Sequence, residues 1–149
     1  MTYHPYSICH WGYGMPVENL DPPGVPLVEG ISQVSIATGS RIVFFSGQIG
    51  RKPDGAPAGD DLRSQTCQTL KNLEAVAKSV GVESSHIAKW TLFIKNYSAE
   101  AFEAYMAGFG DYLEGGGSIA PTAAGTLVGV AELFEPWILV ELEAIAVID

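Results

Sequence analysis

Apolar positions along the chain switch between two periods, and the switches mark out its elements. Residues 31–38 and 41–48 read as short β-rich blocks, the second carrying Ile42, Val43, Phe44 and Phe45. Gly39-Ser40 lies between them, which predicts a hairpin. Pro53-Asp54-Gly55 signals a turn, and Asp60 or Asp61 is placed to cap a helix. Leu62, Thr66, Leu70, Leu73, Ala77 and Val80 then recur at helical spacing as far as Gly81, predicting a helix to about residue 79. Residues 87–96 return to period two. Lys89, Thr91, Phe93 and Lys95 share one face, and Trp90, Leu92 and Ile94 the other. A second helix is predicted over 99–114 from Phe102, Tyr105, Met106, Phe109, Tyr112 and Leu113, a stripe read as core. Gly115-Gly116-Gly117-Ser118 breaks it. Strands follow over 125–133 and 137–148, with a turn at Glu135-Pro136.

The resulting order, β-β-α-β-α-β-β, predicts an α/β protein of the α+β kind, a two-layer sandwich with both helices on one sheet face. The opposite face is left without a cover of its own, so a homo-oligomer is expected. Residues 1–30 form a separate extended arm in this reading, ahead of a single domain over 31–149. Five prolines (Pro5, Pro16, Pro22, Pro23, Pro26) and four glycines exclude a long helix from the arm. Its rings, Tyr3, Tyr6, Trp11 and Tyr13, are expected to pack on the domain or on a neighbour.

Composition narrows the function classes. The 149 residues are 47% hydrophobic and 17% charged, which suits one globular domain. The net charge is −9, and Arg41, Arg51, Arg63 and five lysines are all the chain's cations besides histidine. Such a surface repels phosphate backbones, so no nucleic-acid partner is expected. No apolar run approaches the ~20 residues of a membrane span. The first residues show no basic stretch leading into an apolar core, and a cytoplasmic location is expected. Cys9 and Cys67 read as free thiols. His4, Cys9 and His10, with His86 distant, match no metal-binding spacing, and no phosphate loop or nucleophile elbow is present. Neither metal nor cofactor is expected.

The chemistry concentrates in the last strand. Ile138, Val140, Leu142, Ala144, Ala146 and Ile148 make one unbroken apolar face; Glu141 and Glu143 share the other, flanked by Leu139 and Ile145. Carboxylates in so apolar a run need compensation. Two readings stand. The acids line a wet cleft, with Glu141 a candidate for acid/base work, or cations such as Lys89 and Lys95 neutralise them. Ser46-Gly47-Gln48, at the end of the second strand, is either a simple terminus or bulge, or a place where backbone N–H groups meet a ligand oxygen.

Ile31-Ser32-Gln33, Ser46-Gly47-Gln48, Gln65, Asn72-Leu73, Ile87-Ala88-Lys89, Phe93-Ile94-Lys95 and 140–146 (Val-Glu-Leu-Glu-Ala-Ile-Ala), in that order and spacing, resemble the RidA (YjgF) family of reactive-intermediate deaminases. The resemblance covers about residues 20–149. It implies a chorismate-mutase-like fold, a homotrimer with sheets packed at its centre, and a small-molecule cleft at each subunit interface. The implied reaction is hydrolysis of enamines and imines to keto acids and ammonia, without metal or cofactor. Carried over residue by residue, Glu141 would position the attacking water, and Ser46, Gly47 and the backbone at Leu127 would face the ligand. The family's carboxylate-gripping arginine falls at Gly125, and residues 120–127 contain no arginine at all. Arg41, Arg51 and Arg63 are the alternatives for that role. A usual tyrosine falls at Ile31 and a usual asparagine at Met106. A cleft lined by Ile31, Met106 and Gly125 implies a neutral or largely apolar substrate. The same scaffold without catalysis would be a small-molecule binder or regulator.

Overall fold

The structure, a computed structural model, describes residues 16–120 and 122–149. The arm residues Tyr3, His4, Tyr6, Cys9, His10, Trp11 and Tyr13 lie outside the described residues. The strands are β1 (Val17–Leu20), β2 (Val34–Ala37), β3 (Arg41–Ile49), β4 (Ile87–Lys95), β5 (Ala124–Val130) and β6 (Val140–Ile148). The helices are α1 (Leu62–Ser79) and α2 (Ala99–Glu114), with a single 3₁₀ turn at Ser84–His86. This is the expected α+β order with one strand, β1, added before it.

β3, β6, β4 and β5 lie side by side in that order, antiparallel except for the parallel β4–β5 pair. Alternation decides what each face meets. Leu92 and Ile94 of β4 and Val140, Leu142, Ala144 and Ala146 of β6 are buried with Leu70, Leu73 and Ala77 of α1. Each such side chain, removed from water, stabilises the fold by roughly 1.5–3 kcal/mol when large. On the opposite face Ile42 and Phe44 stand 63% and 72% exposed, a bare apolar surface no described element covers.

Both helices begin where the sequence provides a cap. Asp61 accepts from the Ser64 amide, and Ser98 from the Ala101 amide. Helix α1 then ties down two strand ends with side-chain amides. Gln65, fully buried, donates to the carbonyls of Gly59 and Trp137 and accepts from the Leu139 amide. It holds the Trp137 carbonyl and the Leu139 amide just ahead of β6, which starts at Val140 and not at Trp137. Asn72 donates to the carbonyls of Ile49 and Arg51, fixing the end of β3.

Two expectations are corrected. The hairpin of 31–38 with 41–48 does not form. β2 pairs with β1, and β3 pairs with β6. The link has no positive-φ glycine of the kind tight hairpins use. Instead, Gly39 is pressed on the end of β6, where a Cβ would come 2.6 Å from Val147 Cγ1, and the Ser40 amide donates to the Ile148 carbonyl. The β1–β2 ribbon therefore swings to the β5 side, where Ser32 bridges Ala124 and the Ala124 amide donates to Ser35.

The stripe on α2 is only partly core. Tyr105 and Tyr112 are buried, but Phe102, Met106 and Leu113 are 38%, 46% and 40% exposed. α2 packs chiefly on α1, and its Phe102–Met106 end overhangs a gap above β4 and β5.

Candidate functional site

The register of β3 against β6 slips between Phe45 and Gln48, so Ser46 and Gly47 form a bulge beside Glu141. The Glu141 carboxyl lies flat over Gly47. A Cβ at that glycine would sit 1.8 Å from Oε1 and 2.6 Å from Cδ. Glycine here is a steric requirement of the acid's position. Across the strand pair on β4, Glu141 faces Phe93 and Glu143 faces Thr91.

No cation among the described residues compensates these acids. Lys95 pairs with Glu132 at 2.8 Å and donates to the Pro136 carbonyl, and Lys89 donates to Thr126. The arginines are engaged elsewhere. Arg63 holds Asp111 through two bonds of 2.6 Å, and Arg41 donates to the Asp149 carbonyl. Arg51 pairs with Glu135 at 2.6 Å and stacks 5.0 Å over Trp137. Half-buried and unpaired, Glu141 has its pKa raised, first by desolvation and then by the Glu143 charge. The lysine-neutralised reading of the pair finds no support in this arrangement.

Glu74 shows the opposite treatment. Burial pushes its pKa up, yet hydrogen bonds from Lys78, Ser118 and Tyr112 outweigh that and bring it down to about 2.

A cavity of about 430 Å³ opens on the other, helix-covered face, within the usual range for small-molecule pockets. Trp90, Leu92, Leu127 and Leu142 of the sheet form its floor, Phe102, Tyr105, Met106 and Phe109 of α2 its roof, and Val28–Ile31 its rim. The rim is a tight turn: the Ile31 amide donates to the Val28 carbonyl, with Gly30 at φ +83°. Burial pushes the Tyr105 phenol up to about 12, so its hydroxyl stays protonated. A larger depression of about 590 Å³, lined by Lys78, Gly81–Ser85, Ser118 and Ile119, holds none of the residues predicted for the site.

The predicted site residues thus fall into two groups. Ile31, Met106, Gly125 and Leu127 meet in the cavity. Ser46, Gly47 and Glu141 meet at the bulge and line neither depression. Leu142 is a cavity wall and Glu141, its neighbour, points to the opposite face, so the sheet itself separates the groups. Sequence reading missed Trp90, Phe102 and Tyr105 as cavity residues. All three were visible as large apolar positions, but only the β4–β5 register and the tilt of α2 tell wall from core.

Residues 28–148 match the family model described as Endoribonuclease L-PSP. The chain belongs to this family, the Rid (YjgF) family. Among curated relatives, a putative regulator AldR from Lactococcus lactis is 32% identical over 133 residues, spanning 87% of this chain and 94% of its own. A 2-iminobutanoate/2-iminopropanoate deaminase from Salmonella typhimurium is 31% identical over 124 residues, 82% and 87% of the two chains. Among solved structures, the Rid-family protein YyfB from Yersinia pestis superposes with a TM-score of 0.78 at 28% identity, covering 89% of this chain and 99% of its own. Escherichia coli TdcF with bound serine gives 0.60 at 27% identity, covering 85% and 92%. Among the described residues no helix is long and apolar enough to cross a membrane.

Proposed function

We propose that this Rid-family chain hydrolyses the imine or enamine of a small, largely apolar compound, in clefts formed between copies of itself. The observation that carries this reading is the unpaired Glu141, held over Gly47 on the open sheet face with a raised pKa. A carboxyl whose pKa is raised by desolvation is a better proton acceptor than an ordinary glutamate and can hand the proton on. An enamine first takes a proton on carbon and so becomes the protonated imine. Glu141 accepts a proton as water adds to the C=N carbon of the protonated imine, giving a carbinolamine. It returns that proton to nitrogen and then takes up the hydroxyl proton as the C–N bond breaks, releasing ammonia and a carbonyl product. No side chain acts as nucleophile. Backbone N–H groups near Ser46 and Leu127 polarise the substrate.

The cavity and the acid lie on opposite faces of one sheet, so one protomer cannot bring them together. A second copy placed against the bare Ile42–Phe44 face could set its own cavity rim near Glu141, and a closed homotrimer is the assembly we assign. The names of the deaminase relatives support the reaction class. The apolar lining and the lack of any arginine in 120–127 support a substrate without a carboxylate. Those same features, with the regulator AldR among the relatives, favour the second reading, a non-catalytic small-molecule binder. A net charge of −9 weighs against ribonuclease action despite the family's name.

Ammonia release from freshly generated imines of graded polarity separates the readings. The deaminase reading expects wild-type turnover that favours apolar imines and is lost in Glu141→Gln. Equal inactivity of both proteins on every imine would leave the binder reading standing alone.

A further inference from the structure

Two tyrosines on one stripe of α2 fare differently. The Tyr112 hydroxyl accepts from the Ile119 amide at 2.8 Å and bonds to Glu74. Tyr105, earlier on the helix, is only 8% exposed, and no hydrogen bond accompanies the burial that pushes its phenol up. A buried hydroxyl is normally satisfied, so an orphan calls for an explanation. Stacking gives none. The ring lies between Phe102 and Phe109, with centroids 6.1 and 6.4 Å away, and phenylalanine would serve there equally well. Nor is the hydroxyl sealed. Among the described residues, the polar side-chain atoms with neither surface nor partner are Thr66 Oγ1, Thr69 Oγ1 and Trp90 Nε1. The Tyr105 oxygen also lacks a partner there, but it keeps accessible surface. Surface on a group so deep opens into the cavity that its ring lines.

The other polar side chains around the cavity are engaged, sealed or at its mouth. Thr122 Oγ1 accepts from Asn19, Trp90 Nε1 is sealed, Tyr97 is 48% exposed, and Glu29 is exposed on the rim turn. The inner wall thus offers a ligand apolar surface and one free hydroxyl. That hydroxyl stays protonated, and a neutral phenol donates better than it accepts because the ring draws on the oxygen lone pair. Glu29 is the one charged residue of the lining and no cation joins it, so a carboxylate is disfavoured. A ligand group with N–H donors of its own would bury them unpaired. What fits is an uncharged acceptor oxygen.

We propose that Tyr105 is the specificity-determining residue of this cavity, and that its hydroxyl donates to a single uncharged carbonyl oxygen at the inward end of an otherwise apolar ligand. The proposal rests on the cavity being the ligand site of the Proposed function. The reacting C=N bond then lies at the outward end, where Glu141 of another copy meets it.

Acetophenone and isopropenylbenzene test it, since they share a skeleton and differ in carrying a C=O or a C=CH2 group. Affinities are measured by NMR titration on wild type and Tyr105→Phe, which keeps a ring between Phe102 and Phe109. Removing the hydroxyl should weaken acetophenone about fivefold, the worth of one buried hydrogen bond, and leave isopropenylbenzene no weaker. The carbonyl stretch of carbon-13-labelled acetophenone is the second readout. Bound to wild type it should lie below its value in hexane, a comparison that needs no variant, and in Tyr105→Phe it should return towards that value. Acetophenone held equally tightly by both proteins, both compounds weakened alike, an unshifted stretch, or no binding of either compound would each overturn the proposal. A protein that reads the ketone through Tyr105 yet releases no ammonia from any imine sinks the deaminase reading alone; an active protein indifferent to the Tyr105 hydroxyl sinks this proposal alone.

Discussion

On its helix-covered face the four-stranded sheet walls a cavity of about 430 Å³ with Trp90, Leu92, Leu127 and Leu142, and offers it no acid for proton transfer. On its open face the neighbouring residue of the same strand, Glu141, is unpaired, holds its proton more tightly than an ordinary glutamate, and lines neither this cavity nor the larger depression. One sheet face floors a binding volume with apolar side chains, an acid standing only at the rim as Glu29; the other carries the unpaired Glu141. Alternation along β6 makes this unavoidable, because adjacent strand residues point to opposite sides. A site that uses both must combine two protomers, and the exposed Ile42 and Phe44 supply an apolar surface on which they could meet.

Breaking the acid should have the largest effect. Glu141→Gln is expected to lower ammonia release by about 10²–10⁴-fold, the usual worth of a general acid/base, with circular dichroism unchanged. Displacing the acid without removing it comes next. Gly47→Ala puts a methyl where the carboxyl lies, and kcat should fall about 10²-fold with the KM of an apolar imine little changed. Loss confined to KM would show that the Gly47 seat serves binding and not proton transfer. Charging the open face with Phe44→Lys should shift the protein to monomer in sedimentation velocity and abolish turnover together.

The two faces also differ in how they spend stability, and pH separates them. Glu141 holds its proton more tightly folded than unfolded, so its contribution to stability is lost as pH rises through the folded pKa. Glu141→Gln should therefore raise Tm slightly above that pH and not below it. Glu74, on α1, behaves in reverse. With a folded pKa of about 2 against an ordinary 4.5, it stabilises the fold above pH ~4.5, and that contribution fades as pH falls towards 2. Glu74→Gln should cost of order 1–3 kcal/mol at pH 7, read by urea unfolding, and much less at pH 3.

Much of this was legible in the sequence, for physical reasons that also mark where legibility stopped. Both helices follow from their apolar stripes, and α1 also from its cap, Asp61; the cap of α2, Ser98, is seen only in the structure. The faces of β4 and β6 follow from strict alternation. The pairing of β2 did not, because Gly39 reads as a hairpin glycine until Val147 and Ile148 are seen packed upon it, a contact more than 100 residues away in sequence. Site residues behaved alike. Ile31, Met106, Gly125 and Leu127 were named from a resemblance and meet in one cavity; their separation from Glu141 is a property of the sheet that no local pattern reports. Trp90 was legible only as an apolar strand residue, since its partner Gly125 is set by the parallel register. Phe102 sat in a stripe that looked like core because helical spacing cannot tell a packed neighbour from an overhung gap.

The most direct test of a site shared between copies is complementation. Glu141→Gln keeps the cavity and loses the acid; Leu127→Trp fills the cavity and keeps the acid. Each variant alone should be inactive. Unfolded together, refolded and assayed for ammonia release, a random one-to-one mixture in closed oligomers should recover about a quarter of wild-type activity, because one cleft in four draws its cavity and its acid from intact partners. A mixture no more active than the two variants measured apart would contradict the account.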